Sequence, residues 1–127
     1  MIIGIGTDIV TISRIKKATE NKKFCERFFT EKENIFFREK KHLPQTIAGV
    51  FCAKEAVSKA LGTGFSGFSV KDIEIMHDAL GKPYVMLYNS AKKQFDDIGA
   101  ANVLVSISHS ELSAVAFAVI EGGLQNG

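Results

Sequence analysis

The stretch FCAKEAVSKALGTG, residues 51–64, sets an acid (Glu55) and a cation (Lys59) one helical turn apart, just ahead of the loop Gly62-Thr63-Gly64. A carboxylate can hold a hard metal ion, a lysine can neutralise phosphate, and a glycine loop lets backbone N–H groups approach an anion. One segment thus offers the parts of a phosphate-handling site. The same residues also read as a surface i,i+4 ion pair, worth roughly 0.3–0.5 kcal/mol, followed by a glycine helix stop. Spacing alone leaves both readings open. A second acid, Asp8, closes the glycine-bearing segment that begins the chain. A Mg²⁺ bridging Asp8 and Glu55 to a pyrophosphate, completed by phosphate oxygens and water, would make a phosphoryl-transfer centre, with Lys59 stabilising phosphate charge. Asp8 also fits a capping or turn role ahead of the next helix. The two acids are far apart in sequence, so their meeting is an expectation for the fold to test.

Other chemistries find no support. Gly4-Ile5-Gly6 begins like a dinucleotide fingerprint but lacks the third glycine, and Gly81-Lys82-Pro83 lacks the upstream glycine and the hydroxyl residue of a P-loop. There is no H-E-x-x-H, no zinc-ligand spacing and no G-x-S-x-G elbow. His42 and His77 lie in polar surroundings and read as solvated. His109, closing the run VLVSISHS, fits a structural turn and a site equally well. Cys25 and Cys52 give neither a disulfide framework nor a CxxC pair, which points to a reducing, cytoplasmic setting.

These groups need elements to hold them. Ile2 to Ile9 reads as a strand with Ile3, Ile5 and Ile9 on one face and Gly4, Gly6 and Asp8 on the other. Glycines there mark close approach by another backbone or a ligand. A helix is predicted from Thr11 to Asn21, with Ile12, Ile15 and Ala18 inward, and a second from Thr30 to Lys41, opened by a Thr30/Glu33 capping box. Pro44 starts the longest helix, Gln45 to Leu61. Val50, Ala53, Val57, Ala60 and Leu61 share its core face. Glu55 and Lys59 lie opposite, among Ala48, Phe51, Cys52 and Gly62, which indicates a second, partly covered surface. After GTGFSGFS come strands at Val70–Met76 and Pro83–Tyr88 around a turn at residues 79–82. A short helix follows, capped by Asn89 or Ser90 and ending at Gly99. Two apolar strands, Asn102–Ser108 and Ser113–Glu121, are joined tightly through residues 109–112. The expected fold class is α+β, an antiparallel sheet packed against a long central helix, as one domain over residues 1–121 with a frayed tail at 122–127.

At 127 residues, 46% apolar and 24% charged, the chain suits a folded domain and not a disordered one. MIIGIGTDIV has no basic leader, and Asp8 interrupts it, so it does not read as a signal peptide; no stretch has the ~20 apolar residues of a membrane span. The net charge of +2 is uneven: Val10 to Arg27 carries +4 (Arg14, Lys16, Lys17, Lys22, Lys23 and Arg27 against Glu20 and Glu26), and the rest −2. That local excess could steer an acidic partner, and it could equally be a solvated helix face.

GIGTDIV, FCAKEAVSKALGTG, GKPYV and VSISHS, in this order and spacing, resemble the holo-[acyl-carrier-protein] synthases, the small type of 4′-phosphopantetheinyl transferase, from Met1 to about Glu121. The resemblance implies the 4′-phosphopantetheinyl transferase fold and transfer of the phosphopantetheine arm of coenzyme A to a serine of apo acyl-carrier protein. Adenosine 3′,5′-bisphosphate is released, within fatty acid biosynthesis. It also implies Mg²⁺ dependence and a homotrimer with active sites between subunits, and no nucleic-acid or membrane partner. By motif position it makes Asp8 and Glu55 metal ligands, Lys59 a phosphate contact, and Gly62, Thr63 and Gly64 the lining of the coenzyme A site. Lys82, Pro83, Ser108 and His109 are further coenzyme A contacts, while Arg14, with the neighbouring Lys17, holds the carrier. Glu55, or a water it orients, is the candidate acceptor for the serine proton. One departure stands out. The family pattern G-R-F-A-A-K-E-A has arginine where this chain has Val50 and alanine where it has Cys52, so that arginine's contact is absent or supplied elsewhere, with Lys54 as a candidate. Two rival readings are a basic nucleic-acid or acidic-partner binding module without catalysis, and a Mg²⁺-dependent pyrophosphate hydrolase that leaves the carrier unmodified.

Overall fold

The computed structural model describes residues 1–64 and 67–123; Phe65 and Ser66 of the glycine loop, and residues 124–127 of the expected tail, lie outside them. Its elements are β1 (Ile2–Thr11), α1 (Ile12–Thr19), α2 (Lys22–Phe28), α3 (Glu31–Glu39), α4 (Pro44–Ala60), a short 3₁₀ turn (Val70–Asp72), β2 (Ile73–His77), β3 (Pro83–Leu87), α5 (Asn89–Asp97), β4 (Ala100–His109) and β5 (Ser113–Gly122). β1, β5 and β4 form an antiparallel sheet in that order, and β2 with β3 forms a separate hairpin. The architecture is α+β, as the alternating and helical patterns predict. Among the described residues no helix is long and apolar enough to cross a membrane.

α4 is the centre of the molecule. One side lies on the sheet, where small residues let the backbones come close. A Cβ on Gly6 would sit 2.0 Å from the Ala56 carbonyl oxygen, and one on Gly4 2.1 Å from that of Ala60. Ala114, Ala116 and Ala118 of β5 are buried on the same inner face. The glycine face of β1 is therefore the packed one, filled by a helix of the same chain. The isoleucine face turns outward, with Ile5 62% and Ile9 69% exposed.

The other side of α4 carries α2, α3 and the β2–β3 hairpin. Phe28, Phe29 and Phe37 form an edge-to-face chain with centroids 5.0 and 4.8 Å apart, and Phe28 stacks on Phe51 at 4.8 Å. The Thr30/Glu33 capping box is present with both reciprocal bonds.

Several local expectations shift. α1 ends at Thr19, and Asn21 opens α2 by accepting the Lys23 N–H at 3.0 Å, so the residue that reads as a helix end is the cap of an unexpected second helix. Val70–Asp72 leaves the expected strand because Ser69 and Asp72 make a capping box of their own. α5 is capped by neither Asn89 nor Ser90, since Asn89 gives its side-chain amide to Asp72 Oδ1 at 3.0 Å. The β2–β3 turn is set by Asp78, whose Oδ1 accepts the Leu80 and Lys82 N–H groups at 2.9 Å each.

Candidate active site

Strand and helix periods place the site. Two strand residues advance about 6.6 Å and one helical turn about 5.4 Å, so successive inner-face residues of β1 meet successive turns of α4. Gly4 lies on Ala60 and Gly6 on Ala56. Asp8, the next residue on that face and the first with a side chain, reaches α4 beside Cys52 and Lys59.

Lys59 Nζ donates to Asp8 Oδ1 at 3.2 Å and to the Thr7 carbonyl at 3.0 Å. Lys59 thus pairs with the strand and not with Glu55 one turn back, which removes the reading of a plain i,i+4 surface pair. Glu55 is half-buried. Burial raises its proton affinity above the usual carboxylate range, the charge of Asp8 raises it further, and Lys59 offsets part of the effect. Cys52 is fully buried between them. Its thiol is pushed up to about 12, first by burial and then by Asp8 and Glu55, so it remains a neutral floor under the acids. Its Sγ donates to the Ala114 carbonyl at 3.4 Å.

The fold therefore brings Asp8, Glu55 and Lys59 together. Among the described residues no three His, Cys, Asp or Glu side chains form a ready metal cage. Two repelling carboxylates sharing a single lysine suit a hard divalent cation that draws its remaining ligands from phosphate oxygens and water.

The other predicted residues are placed less directly. Gly62 and Gly64 have φ of 90° and 57°, and their N–H groups bond the Lys59 and Ser58 carbonyls at 2.9 and 3.1 Å. Those two donors close α4, so the glycine stop is real, and Thr63 Oγ1 turns to the Gly64 carbonyl at 3.2 Å. Lys82 is exposed at the hairpin turn next to half-buried Pro83. Ser108 pairs across β5 with Val115, which pairs with Ile9, so it sits two strands, about 9–10 Å, from β1 and on the outward face. His109 is exposed at the end of β4. Within one chain neither joins Asp8. Arg14 and Lys17 are exposed on α1 while Ile15 is buried beneath them.

Two expectations need correction. Lys54 cannot replace the family arginine at a phosphate, because its side chain is 0% exposed and ion-pairs with equally buried Glu33 at 2.6 Å. Val50 is 1% exposed, in the core as its place on the helix face predicts, so the contact of the family arginine is absent from this position. His77 is not a solvated residue: it is half-buried, stacks on Phe36 with centroids 4.1 Å apart and planes at 8°, and its Nδ1 is buried without a partner. His42 is exposed as expected. The polar network around Lys54 was legible only in its capping box; it continues from Glu33 to the Ile75 N–H and from Thr30 through Glu74 to Tyr88.

Two carboxylates and an ammonium meeting at one point are the groups that could hold a cation and neutralise a phosphate. The groups sit on an α+β scaffold built around one glycine-packed helix. The chain belongs to the 4′-phosphopantetheinyl transferase superfamily, whose family model matches residues 4–115, and it is an enzyme of that class. The holo-[acyl-carrier-protein] synthase of Clostridium botulinum (strain Alaska, type E) is 56% identical over 122 residues, covering 95% of this chain and 98% of that protein. The crystal structure of the holo-[acyl-carrier-protein] synthase of Neisseria meningitidis matches with a TM-score of 0.87 at 38% identity, covering 95% of this chain and 99% of that one. The Helicobacter pylori holo-[acyl-carrier-protein] synthase, solved in complex with coenzyme A, matches with a TM-score of 0.80 at 36% identity, over 92% of this chain and 99% of that one.

Proposed function

We propose that this enzyme transfers the 4′-phosphopantetheine arm of coenzyme A to a serine of apo acyl-carrier protein, with Mg²⁺, releasing adenosine 3′,5′-bisphosphate in the cytoplasm as a step of fatty acid biosynthesis. The observation that carries the reading is the meeting of Asp8, Glu55 and Lys59 at one point of the strand–helix contact. Phosphoryl transfer is largely positioning and charge neutralisation. Asp8 and Glu55 would hold the cation, which supplies Lewis-acid neutralisation of the pyrophosphate. Lys59 adds a second positive charge at the phosphates. Gly62, Thr63 and Gly64, which end α4 one turn beyond Lys59, line the coenzyme A side. The serine Oγ–P bond forms as the P–O bond to the bisphosphate breaks. The serine proton passes to Glu55 directly or through a water it orients.

The assembly is a homotrimer in this reading. The outward face of the sheet carries three rows, Ile5-Val119-Leu104, Thr7-Phe117-Ser106 and Ile9-Val115-Ser108, and Ile5, Ile9, Leu104 and Phe117 are 62, 69, 52 and 46% exposed. An apolar patch of this kind is expected to be covered. In this reading Ser108, His109, Lys82 and Pro83 serve coenzyme A bound between subunits, beside a neighbour's Asp8 and Glu55. Arg14 and Lys17 on exposed α1 face the acidic carrier.

The test is product release, with the nucleotide followed by chromatography. Wild-type protein with coenzyme A and Mg²⁺ should release adenosine 3′,5′-bisphosphate only when apo carrier is present, and Asp8→Asn and Glu55→Gln should each lower turnover at least about a hundredfold with the fold intact. Release without carrier would make the protein a pyrophosphate hydrolase, and near-normal rates in both variants would remove the metal assignment.

A further inference from the structure

Asp8 Oδ1 has two claimants. It accepts from Lys59 Nζ at 3.2 Å, and it belongs to a carboxylate that, on the proposed function, would also hold a divalent cation. Lys59 is anchored on one side only: besides Asp8 it touches the Thr7 carbonyl, and its side chain is 52% exposed. It can therefore swing outward without disturbing the core. Lys59 is paired with Asp8 and not with Glu55 one turn back, so two carboxylates share one ammonium and the three groups carry one formal negative charge. A divalent cation held by Asp8 and Glu55 would reverse that to one net positive charge and repel the ammonium from the Asp8 carboxylate.

We propose that Lys59 is handed over: it holds Asp8 until the cation enters, and is then released to a phosphate of coenzyme A. This rests on the proposed function, but it adds a property that the residue roles alone do not imply. Cation and coenzyme A must bind cooperatively through Lys59, because the cation alone has to displace the lysine, whereas coenzyme A gives the displaced lysine a new partner. By linkage the coupling is reciprocal, and coupling between sites is typically about 5–150-fold.

Calorimetric titration of Mg²⁺, or of Mn²⁺ followed by electron paramagnetic resonance, reads this without turnover. Wild-type protein should bind the cation at least about tenfold more tightly with coenzyme A present than without it. Lys59→Gln should bind the cation alone about tenfold more tightly than wild type, and adding coenzyme A should then improve it by less than about threefold. Lys59→Arg, which keeps the charge, should retain most of the wild-type coupling. Asp8→Asn should lose cation binding with and without coenzyme A. If Asp8→Asn is weak but Lys59→Gln shows the wild-type cation affinity, or gains equally with and without coenzyme A, the handover is wrong and the metal assignment stands. If Asp8→Asn binds the cation like wild type, both are wrong.

Discussion

Replacing Lys54 by methionine should be among the most damaging single changes away from the active site. Its Nζ is 2.6 Å from Glu33 Oε1 with both side chains 0% exposed, and it lies 5.7 and 5.5 Å from the ring centroids of Phe28 and Phe29. Burial disfavours the charge on each partner, raising Glu33 and lowering Lys54, and each restores the other. Breaking a buried pair by removing one member costs about 3–5 kcal/mol, because the survivor is left charged in a poor solvent. In Lys54→Met the Glu33 carboxylate keeps two backbone donors, Thr30 N–H and Ile75 N–H at 2.8 Å each, which places this variant near 3 kcal/mol at the low end of about 3–5 kcal/mol. Glu33→Ala strands an ammonium and both N–H groups at once and belongs near about 5 kcal/mol. Lys54→Met/Glu33→Gln removes both charges while keeping an acceptor for the backbone, and should recover about 1–2 kcal/mol over Lys54→Met. Urea unfolding at fixed protein concentration measures all three, with thermal midpoints down by roughly 10–15 °C for Lys54→Met. A Lys54→Met loss under about 1 kcal/mol, or a double variant worse than both singles, would refute the assignment of this pair as a structural weld between α4, α3 and β2.

The glycine contact gives the next prediction: Gly6→Ala drives a Cβ to 2.0 Å from the Ala56 carbonyl and should cost about 3 kcal/mol or fail to fold, while Gly123→Ala, whose nearest neighbour is 3.9 Å away, should be neutral in the same melt. His77 is held below its ordinary value by burial first and then by Lys40, against a smaller opposing effect of Asp78. Its contribution is therefore present above the usual histidine range and lost as the pH falls through the lowered value, so wild type should lose thermal stability from about pH 7.5 to about pH 5 more steeply than His77→Phe. Phe117→Glu puts a charge in the middle of the outward sheet face and should turn the proposed trimer into folded monomer by analytical ultracentrifugation; a variant that still sediments as a trimer would place the interface elsewhere. Reversing charge at Arg14 and Lys17 together should raise KM for the carrier about tenfold with that for coenzyme A unchanged, and equal effects would move the docking surface.

Much of the site was readable because it follows strict periods. Gly4, Gly6 and Asp8 fall on one strand face, Cys52, Glu55 and Lys59 on one stretch of helix surface, and only one way of stacking the two elements lets the glycines do their work. What failed depended on distant partners. Lys54 reads as a cation free to meet a phosphate until Glu33 and the rings of Phe28 and Phe29 enclose it, and His77 reads as solvated until Phe36 of α3 stacks on it. α2 was missed for a local reason: an asparagine suits a helix end and a helix start, and nothing short of the Lys23 N–H bond decides between them. The isoleucine face of β1 shows its meaning only against the outward residues of β4 and β5, which the chain brings together from its far end.

The most direct test is the intact mass of the carrier. After incubation of apo acyl-carrier protein with coenzyme A, Mg²⁺ and this enzyme, the carrier should be heavier by one phosphopantetheine, on the serine, and should stay unmodified when Asp8→Asn or Glu55→Gln replaces the wild type. A carrier of unchanged mass with active wild-type protein, or full modification by both variants, would contradict the account.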